Sequence, residues 1–376
     1  MKKICIIIAA ILTAGLIFPE NIHAEDVSGT SAYVLMEAST GIVLEEENSS
    51  KQLNIGYLSK LMTILLIAED IETGKYLLST ELTASESVKD TKGSVIWLET
   101  GDRMTVDELL KAVIVGNAND AVTVLAEKSE RSIENFTMRM NSEAFDLGLR
   151  DTAFLSPYGY YDKREYSTAH DVAVICSELA EYDFLKPYFK IWRDFIKEGK
   201  TELVNENTLS RTYENHAGFK AAHSEQSGFC IAEAGENESG ICYIAVILNA
   251  PDSDTSFKEA RQLIKKGFSN YKVTATMFPD EMLMPVKVRS GRETAVEISL
   301  RRQSRLVIPK NVAELSTAVV IPEYLNAPVK QGQVIGTAAF YSEKNQVCEI
   351  DIIAENDVEK LDFLYVFKEM LLNLLK

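Results

Sequence analysis

From Asn54 to Leu66 the chain reads Asn-Ile-Gly-Tyr-Leu-Ser-Lys-Leu-Met-Thr-Ile-Leu-Leu. The residues Leu58–Ala68 are largely apolar, and the polar run that follows them closes at Gly74. An apolar segment of this length that ends near a glycine predicts a buried central helix with a left-handed cap.

One charged residue, Lys60, lies in the first turn of this predicted helix. Burying an ammonium group costs several kcal/mol unless partners surround it, so a lone lysine in an apolar helix indicates a chemical role. The alternative is a side chain that follows the helix surface and keeps its charge in water, which is the ordinary behaviour of a single lysine.

The composition limits how many domains the chain can form and which classes of partner it can bind. With 376 residues, of which 46% are hydrophobic, the chain is long enough for one large domain and a smaller one. Its formal net charge of −17 argues against binding to nucleic acid, which requires basic surfaces. The four histidines have no spacing typical of metal ligands, so we expect neither a metal site nor a cofactor.

Residues 1–24 have the features of a secretory signal peptide. Two lysines precede an apolar run from Ile4 to Phe18, and Ile22-His23-Ala24 fits a cleavage site. We therefore expect secretion, and an uncleaved N-terminal anchor is the alternative. The cysteines of the mature chain lie mostly in apolar runs, which favours buried free thiols over a disulfide framework. They are Cys176, Cys230, Cys242 and Cys348.

The pattern from residue 25 to 270 predicts an α/β domain with one mostly antiparallel sheet, because the strands come first and last and the helices lie between them. The predicted strands are 32–37, 42–45, 218–222, 228–234 and 241–248. After the Lys60 helix, the predicted helices are 105–115, 120–128, 132–147, 168–181 and 256–267. Thr105 and Glu108 have the spacing of a capping box at the start of the first of these.

The C-terminal third of the chain has a different pattern. Residues 271–353 predict a small all-β domain, with short alternating segments at 286–289, 295–300, 306–309, 317–321 and 334–341. Residues 354–376 predict an amphipathic helix that is too short to span a bilayer and is suited to lie on a membrane surface. The alternative is a tail that packs onto its own β domain or onto a second copy.

The segment around Lys60 resembles the nucleophile helix of the serine-type D-alanyl-D-alanine carboxypeptidases, the low-molecular-mass penicillin-binding proteins. The run Lys60-Leu61-Met62-Thr63 matches the second half of that family's pattern Pro-Ala-Ser-x-x-Lys-[Ile/Leu]-Met-Thr. The family's serine stands one helical turn before its lysine, and this chain has Tyr57 at that position. Ser59 is no replacement, because adjacent helical residues point about 100° apart.

Further segments resemble the family in the same order along nearly the whole mature chain. Asn119-Asp120-Ala121 is similar to the element Ser-[Gly/Ala]-Asn-Asp-Ala-Ala, and Gly218-Phe219-Lys220 to the start of Gly-x-Lys-Thr-Gly. Connecting segments match at 140–141, 148–152 and 167–171. The resemblance implies a serine β-lactamase/penicillin-binding-protein-like domain, with an antiparallel sheet and a helical lobe, followed by a small all-β domain and the tail helix.

The resemblance also implies which side chains form the site. In the family, an activated serine attacks the penultimate D-alanine carbonyl of a peptidoglycan stem peptide and forms an acyl-enzyme. The catalytic positions that this chain retains are Lys60, Asn119 and Lys220. The substituted positions are Tyr57 for the nucleophile, Asn117 for the second serine, Ala221 for the threonine and Ala222 for the glycine.

Each substituted group is one that bonds or touches substrate in the family. The first hypothesis is therefore a catalytically inactive homologue, secreted across the bacterial cytoplasmic membrane and held at the membrane surface, that binds or scaffolds near peptidoglycan. The second is an active serine-type carboxypeptidase that uses an unconventional nucleophile. The third is a structural protein whose β domain presents partners. The expected partners are a stem peptide or an envelope protein, together with the membrane surface.

Overall fold

The structure is a computed structural model that describes residues 32–274, 283–301, 305–312, 315–342, 345–363 and 365–367. The described residues form two compact units, a larger one of residues 32–274 and 305–310 and a smaller one of the remaining C-terminal residues. The predicted signal segment 1–24 lies outside the described residues, as do residues 364 and 368–376 of the predicted tail helix.

The larger unit combines one main sheet with a helical lobe. Its strands are β1 Ala32–Glu37, β2 Ile42–Glu47, β3 Glu81–Thr83, β4 Arg103–Thr105, β5 Arg193–Ile196, β6 Thr201–Val204, β7 His216–Ser224, β8 Gly228–Glu236, β9 Cys242–Ala250 and β10 Tyr271–Val273. Its helices are α1 Lys60–Glu72, α2 Val106–Ile114, α3 Asn119–Glu130, α4 Ile133–Asp146, α5 Ala169–Ala180, α6 Lys186–Phe189, α7 Leu209–Thr212 and α8 Ser253–Asn270. Short 3₁₀ helices lie at Gly56–Ser59, Glu86–Asp90 and Asp183–Leu185.

The main sheet has the strand order β2-β1-β9-β8-β7, and every neighbouring pair is antiparallel. This confirms the predicted antiparallel sheet made from the first and last strands. β9 is apolar along its length because both of its faces are covered. Ala245 and Ile247 lie in the cluster that includes α8, whereas Val246 and Leu248 lie in the cluster of the helical lobe.

The helix α1 is buried in the lobe, as predicted from its apolar sequence. It packs against α3 and α5, and its side chains are buried on all sides rather than along one stripe. At its end, Gly74 adopts a φ of 75°, and its N–H donates to the Ile71 carbonyl. The N–H of Lys75 donates to the Asp70 carbonyl, which completes the predicted left-handed cap.

The helix α2 begins with the predicted capping box. The N–H of Glu108 donates to the Thr105 hydroxyl, and the Thr105 N–H donates to the Glu108 carboxylate. The helix ends at Ile114, and a short loop leads into α3. This loop places the C-terminal carbonyls of α2 next to β7, where Lys220 lies.

The C-terminal strands are β11 Val286–Arg289, β12 Ala295–Val296, β13 Ile298–Leu300, β14 Val307–Pro309, β15 Ser316–Val320, β16 Tyr324–Asn326, β17 Val334–Ser342 and β18 Asn345–Ala354. Those of the smaller unit form one sheet of order β13-β18-β17-β15 and another of order β12-β11-β16. The strand β14 differs from the sequence-based expectation for the small β domain, because it pairs with β10 and belongs to the larger unit.

The predicted tail helix requires a correction at its start. Residues 355–362 are not helical, and helical conformation begins at Phe363. Val358, which the sequence pattern places on the apolar face of the tail helix, is buried and pairs with Val329 of the smaller unit. None of the helices in the described ranges is long and apolar enough to cross a membrane.

Candidate functional site at the start of α1

Tyr57 and Lys60 lie at the junction between the 3₁₀ helix Gly56–Ser59 and α1. Lys60 is fully buried, and its ammonium nitrogen lies 4.4 Å from the centre of the Tyr57 ring. The same nitrogen donates a hydrogen bond of 2.9 Å to the Tyr158 carbonyl oxygen. An aromatic face and a carbonyl oxygen both stabilise a cation, so these two groups compensate part of the cost of burial.

Burial lowers the pKa of Lys60 well below its usual value, and the positive charge of Lys220 lowers it further. The carboxylates of Glu206 and Glu165 act in the opposite direction. An amine with a lowered pKa is suited to accept a proton. However, no hydrogen bond joins it to the Tyr57 hydroxyl, because the amine faces the ring.

The segment Pro157–Tyr160 covers this junction. Gly159 has a φ of 78°, and a Cβ atom there would lie 2.2 Å from the Gly56 carbonyl oxygen and 3.0 Å from the Tyr57 Cα. Only glycine fits at such a distance, so the segment lies directly on the backbone that precedes α1. The Tyr158 and Tyr160 rings stack with their centres 4.9 Å apart.

Asn119 lies in the first turn of α3 and is bonded to a neighbouring loop. Its side-chain nitrogen donates to the Lys92 carbonyl at 2.6 Å, and Tyr160 donates its hydroxyl to the same carbonyl at 2.8 Å. Asn117, two residues earlier, has a φ of 58°. The side-chain oxygens of both asparagines are buried and accept no hydrogen bond from another group of the described residues, which is uncommon in folded proteins.

Lys220 projects from β7 towards the end of α2. Its ammonium nitrogen donates to the carbonyl oxygens of Val113 and Ile114, at 3.3 and 3.4 Å, where the helix dipole favours a cation. Burial lowers the pKa of Lys220 to about 8, against the opposing effect of Glu206.

The two alanines that follow Lys220 lie on opposite faces of the sheet. Ala221 belongs to the apolar cluster on the α8 side, whereas Ala222 belongs to the cluster of the helical lobe. Neither side chain offers a polar group to the site. Ser59 also points elsewhere, since its hydroxyl donates to the Glu165 carboxylate at 2.8 Å and is fully buried.

The structure brings the retained positions into one region. Lys60 and Lys220 are close enough for their charges to interact. Tyr57 and Asn119 both flank Gly93, where an added Cβ atom would lie 3.8 Å from the Tyr57 hydroxyl oxygen and 2.9 Å from the Asn119 side-chain nitrogen. No hydrogen bond joins Lys60 to either of the other two retained residues, so each side chain is held by separate main-chain carbonyls. Their catalytic role stays a prediction.

A family model described as D-alanyl-D-alanine carboxypeptidase matches residues 20–252, which is more than half of the chain. The chain belongs to the D-alanyl-D-alanine carboxypeptidase family. A second model, described as the C-terminal domain of penicillin-binding protein 5, matches residues 271–360. The protein is therefore a carboxypeptidase-family protein of peptidoglycan metabolism.

Relatives of this carboxypeptidase-family protein cover most of its length. The D-alanyl-D-alanine carboxypeptidase DacF of Bacillus subtilis is 29% identical over 340 residues, which are 89% of this chain and 87% of DacF. The carboxypeptidase DacA of Haemophilus influenzae is 26% identical over 334 residues, 87% of this chain and 84% of DacA. Both comparisons extend through the region of the smaller unit.

Solved structures agree with the family. Penicillin binding protein 5 from Haemophilus influenzae has a TM-score of 0.77 and 25% identity, over 88% of this chain and 98% of that one. Penicillin binding protein 6B from Escherichia coli, at 23% identity, shares the fold with a TM-score of 0.70, over 86% of this chain and 94% of that one. These similarities confirm the predicted fold class of the two units.

Several residues of the site were not predicted from the sequence. Tyr158, Tyr160 and Lys92 lie between the predicted elements, and the sequence predicted no role for them. Gly159 is the signal that could have found this segment, because glycine allows a close approach of two backbones.

The lowered pKa of Lys220 predicts how stability changes with pH. The Lys220 ammonium loses its proton near pH 8 in the folded state and near pH 10.5 in the unfolded state. Below pH 8 the folded state therefore carries the full free-energy cost of a buried charge. This cost disappears as the pH rises to about 10.5. The free energy of unfolding of the wild type, relative to Lys220→Met, should therefore rise by about 3 kcal/mol across this window, as urea titrations can measure.

The variant Lys51→Met removes a positive charge at an exposed position and corrects for general effects of charge. A difference between wild type and Lys220→Met that does not change with pH would contradict the lowered pKa of Lys220.

Proposed function

We propose that this protein binds peptidoglycan stem peptides without hydrolysing them. The observation that carries the proposal is the ring of Tyr57 over the Lys60 ammonium, at the position where the resemblance to the family places a serine. Acyl transfer of this type needs a nucleophile whose proton can pass to an adjacent base. In this protein the candidate base, the Lys60 amine, lies beside the face of the Tyr57 ring and not beside a hydroxyl group.

The remaining polar groups give no substitute for the missing serine. Ser59 is occupied by Glu165, while Asn117, Ala221 and Ala222 lack the groups that position and hold substrate in the family. Loss of the nucleophile alone costs on the order of a million-fold in kcat for such sites. The substitutions at Asn117, Ala221 and Ala222 remove further groups that could compensate for the loss of the serine.

Binding is supported by the acceptors that the site retains. The side-chain oxygens of Asn117 and Asn119 are buried and unpaired, and a peptide ligand carries N–H groups that would donate to them.

An active carboxypeptidase is the second candidate, favoured by the lowered pKa of Lys60 and by the family itself. In that case Tyr57 would have to act as the nucleophile. The Lys60 amine would have to leave the face of the ring and reach the phenol hydroxyl, which makes no hydrogen bond to a residue in the described ranges. A third candidate is a structural protein whose smaller unit presents partners.

The localisation forms part of the proposal. We infer that residues 1–24 direct secretion and that the tail holds the protein at the membrane surface. Phe363, Val366 and Phe367 are exposed where the tail becomes helical, and the two phenylalanine rings stack with centres 6.0 Å apart. The ion pair between Arg292 and Asp362 connects the segment before Phe363 to the rest of the smaller unit. The exposed apolar side chains therefore follow a segment that is held in place.

The purified mature protein should not be acylated by β-lactams, because Tyr57 stands where the family has its serine and the hydroxyl of Ser59 donates to Glu165. Intact-protein mass spectrometry after incubation with penicillin, together with gel detection of a fluorescent penicillin, checks this. A catalytically competent low-molecular-mass penicillin-binding protein is the positive control. Stoichiometric labelling that unlabelled penicillin competes away would overturn the proposal.

Tyr57→Ser alone should not restore hydrolysis of a peptide that ends in D-Ala-D-Ala. Ala221 and Ala222 still offer no polar side chain to the carboxylate of such a peptide, and Asn117 still has no hydroxyl to transfer a proton. The fourfold variant with Asn117→Ser, Ala221→Thr and Ala222→Gly should release D-alanine measurably, and Tyr57→Ala gives the background. Full activity from the single change would mean that the other positions contribute little.

Removing residues 363–376 should move the mature protein from membranes to the soluble fraction, with little dependence on salt, since binding rests on apolar burial. This deletion keeps Val358, which packs in the smaller unit.

The double variant Phe363→Ala/Phe367→Ala should weaken vesicle binding at least about tenfold, because each ring contributes roughly 1.5–3 kcal/mol when buried. Phe195→Ala, at an exposed aromatic of the larger unit, is the matched control. Equal partitioning of all forms would refute the anchor.

A further inference from the structure

Trp97 is exposed in a conformation that bulky residues rarely adopt. Its φ is 59°, and 80% of its surface is open to solvent. Its neighbours Ile96 and Leu98 are buried, so the chain is anchored on both sides. A left-handed backbone at a residue with a large side chain is unfavourable, and turning an indole into water forgoes the free energy that its burial would release.

Polar contacts hold this conformation from two directions. The N–H groups of Ile96 and Leu98 both donate to the buried Asp120 carboxylate, at 3.0–3.1 Å. On the other side, the ammonium of Lys197 donates to the carbonyl oxygens of Ile96 and Trp97, at 3.1 and 2.9 Å. The surrounding structure therefore fixes the left-handed backbone of Trp97. Strain that neighbouring elements maintain in this way is typical of functional positions.

The loop that carries Trp97 is also a wall of the candidate site. Lys92 accepts the hydrogen bond from Asn119, and the Ser94 carbonyl accepts the N–H of Asn119 at 2.7 Å. Asp120, which follows Asn119, holds the other end of the loop. Trp97 follows Gly93 by four positions, so their Cα atoms lie at most about 14 Å apart.

We propose that Trp97 is a platform on which a sugar ring of the peptidoglycan glycan strand stacks while the attached stem peptide lies in the candidate site. This inference rests on the proposed binding of stem peptides. A stem peptide of four residues in an extended conformation spans about 14 Å, which is long enough to reach from Gly93 to Trp97. The C–H face of a pyranose packs against an indole, and its hydroxyl groups remain in water.

A sugar ring of the glycan strand is the occupant that the position of Trp97 favours. The position beside the site favours it over an unrelated protein partner, because the glycan strand is covalently joined to the peptide that the site is proposed to hold.

The chain contains two tryptophans, so its fluorescence can be made specific for Trp97. The second, Trp192, is partly buried beneath Arg211, and Trp192→Phe leaves Trp97 as the only indole. This protein should be titrated with three probes: a GlcNAc-MurNAc disaccharide carrying the stem peptide, the same peptide without sugar, and the disaccharide without peptide. We expect a blue shift of Trp97 emission with the first probe and tighter binding of that probe than of the free peptide.

Trp97→Gly tests the platform with little change in folding, since glycine accepts the left-handed backbone. The relief of strain offsets the greater entropy of glycine in the unfolded chain, so we expect a similar unfolding temperature. It should bind the disaccharide-peptide roughly three- to tenfold more weakly and the free peptide unchanged. Trp97→Phe should recover part of the loss, and Phe195→Ala should have no effect.

Equal affinity of the wild type and Trp97→Gly for the disaccharide-peptide would overturn the inference, and so would unchanged Trp97 emission. If the free peptide binds normally in that case, the proposed function stands. If the free peptide does not bind but the sugar-bearing probes shift Trp97, the peptide-binding proposal fails and the glycan platform remains.

Discussion

The burial of the Lys60 ammonium is the constraint on which the site depends. Because α1 is enclosed by apolar contacts on all sides, this charge cannot reach water and must find its partners inside the protein. It finds the Tyr158 carbonyl and the Tyr57 ring. These contacts hold residues 157–160 over the start of α1, and only Gly159 allows the two backbones to approach so closely.

The three residues that match the family pattern all donate hydrogen bonds to main-chain carbonyl groups. Lys60, Asn119 and Lys220 each donate to main-chain carbonyls of another segment, and together they connect the helical lobe, the loop at Lys92 and the main sheet. Such bonds give these residues a structural use that does not require catalysis, since a buried donor that loses its acceptor costs about 1–3 kcal/mol. These three side chains therefore have a structural role in the described residues that is independent of catalysis.

The same framework connects the site to its surroundings. The loop from Lys92 to Leu98 is held by Asn119 at one end and by Asp120 at the other, so the start of α3 positions both the wall of the site and the exposed Trp97. A change at the N-terminus of α3 would therefore act on both. The hydrogen bonds to Asp120 explain how the left-handed backbone of the exposed Trp97 is held beside a proposed binding site.

The sequence by itself determined the features that depend on local spacing. The apolar run and Gly74 predicted α1 and its cap, and Thr105 with Glu108 predicted the start of α2. Tyr57 stands three residues before Lys60, where the resemblance to the family places a serine, and this spacing is also a local feature of the sequence. The hairpins β3–β4 and β5–β6 were missed, since their strands are only three or four residues long and show little periodicity.

Only the tertiary structure decided which distant groups meet. The strand β14 pairs with β10 rather than with the strands around it in sequence, because pairing depends on contacts that no local pattern encodes. The partner of the Lys60 ammonium, Tyr158, is 98 residues away along the chain, and the partner carbonyls of Lys220 are 106 and 107 residues away. The sequence therefore indicated that a buried charge requires partners, and the fold decided that a tyrosine ring and main-chain carbonyls would supply them.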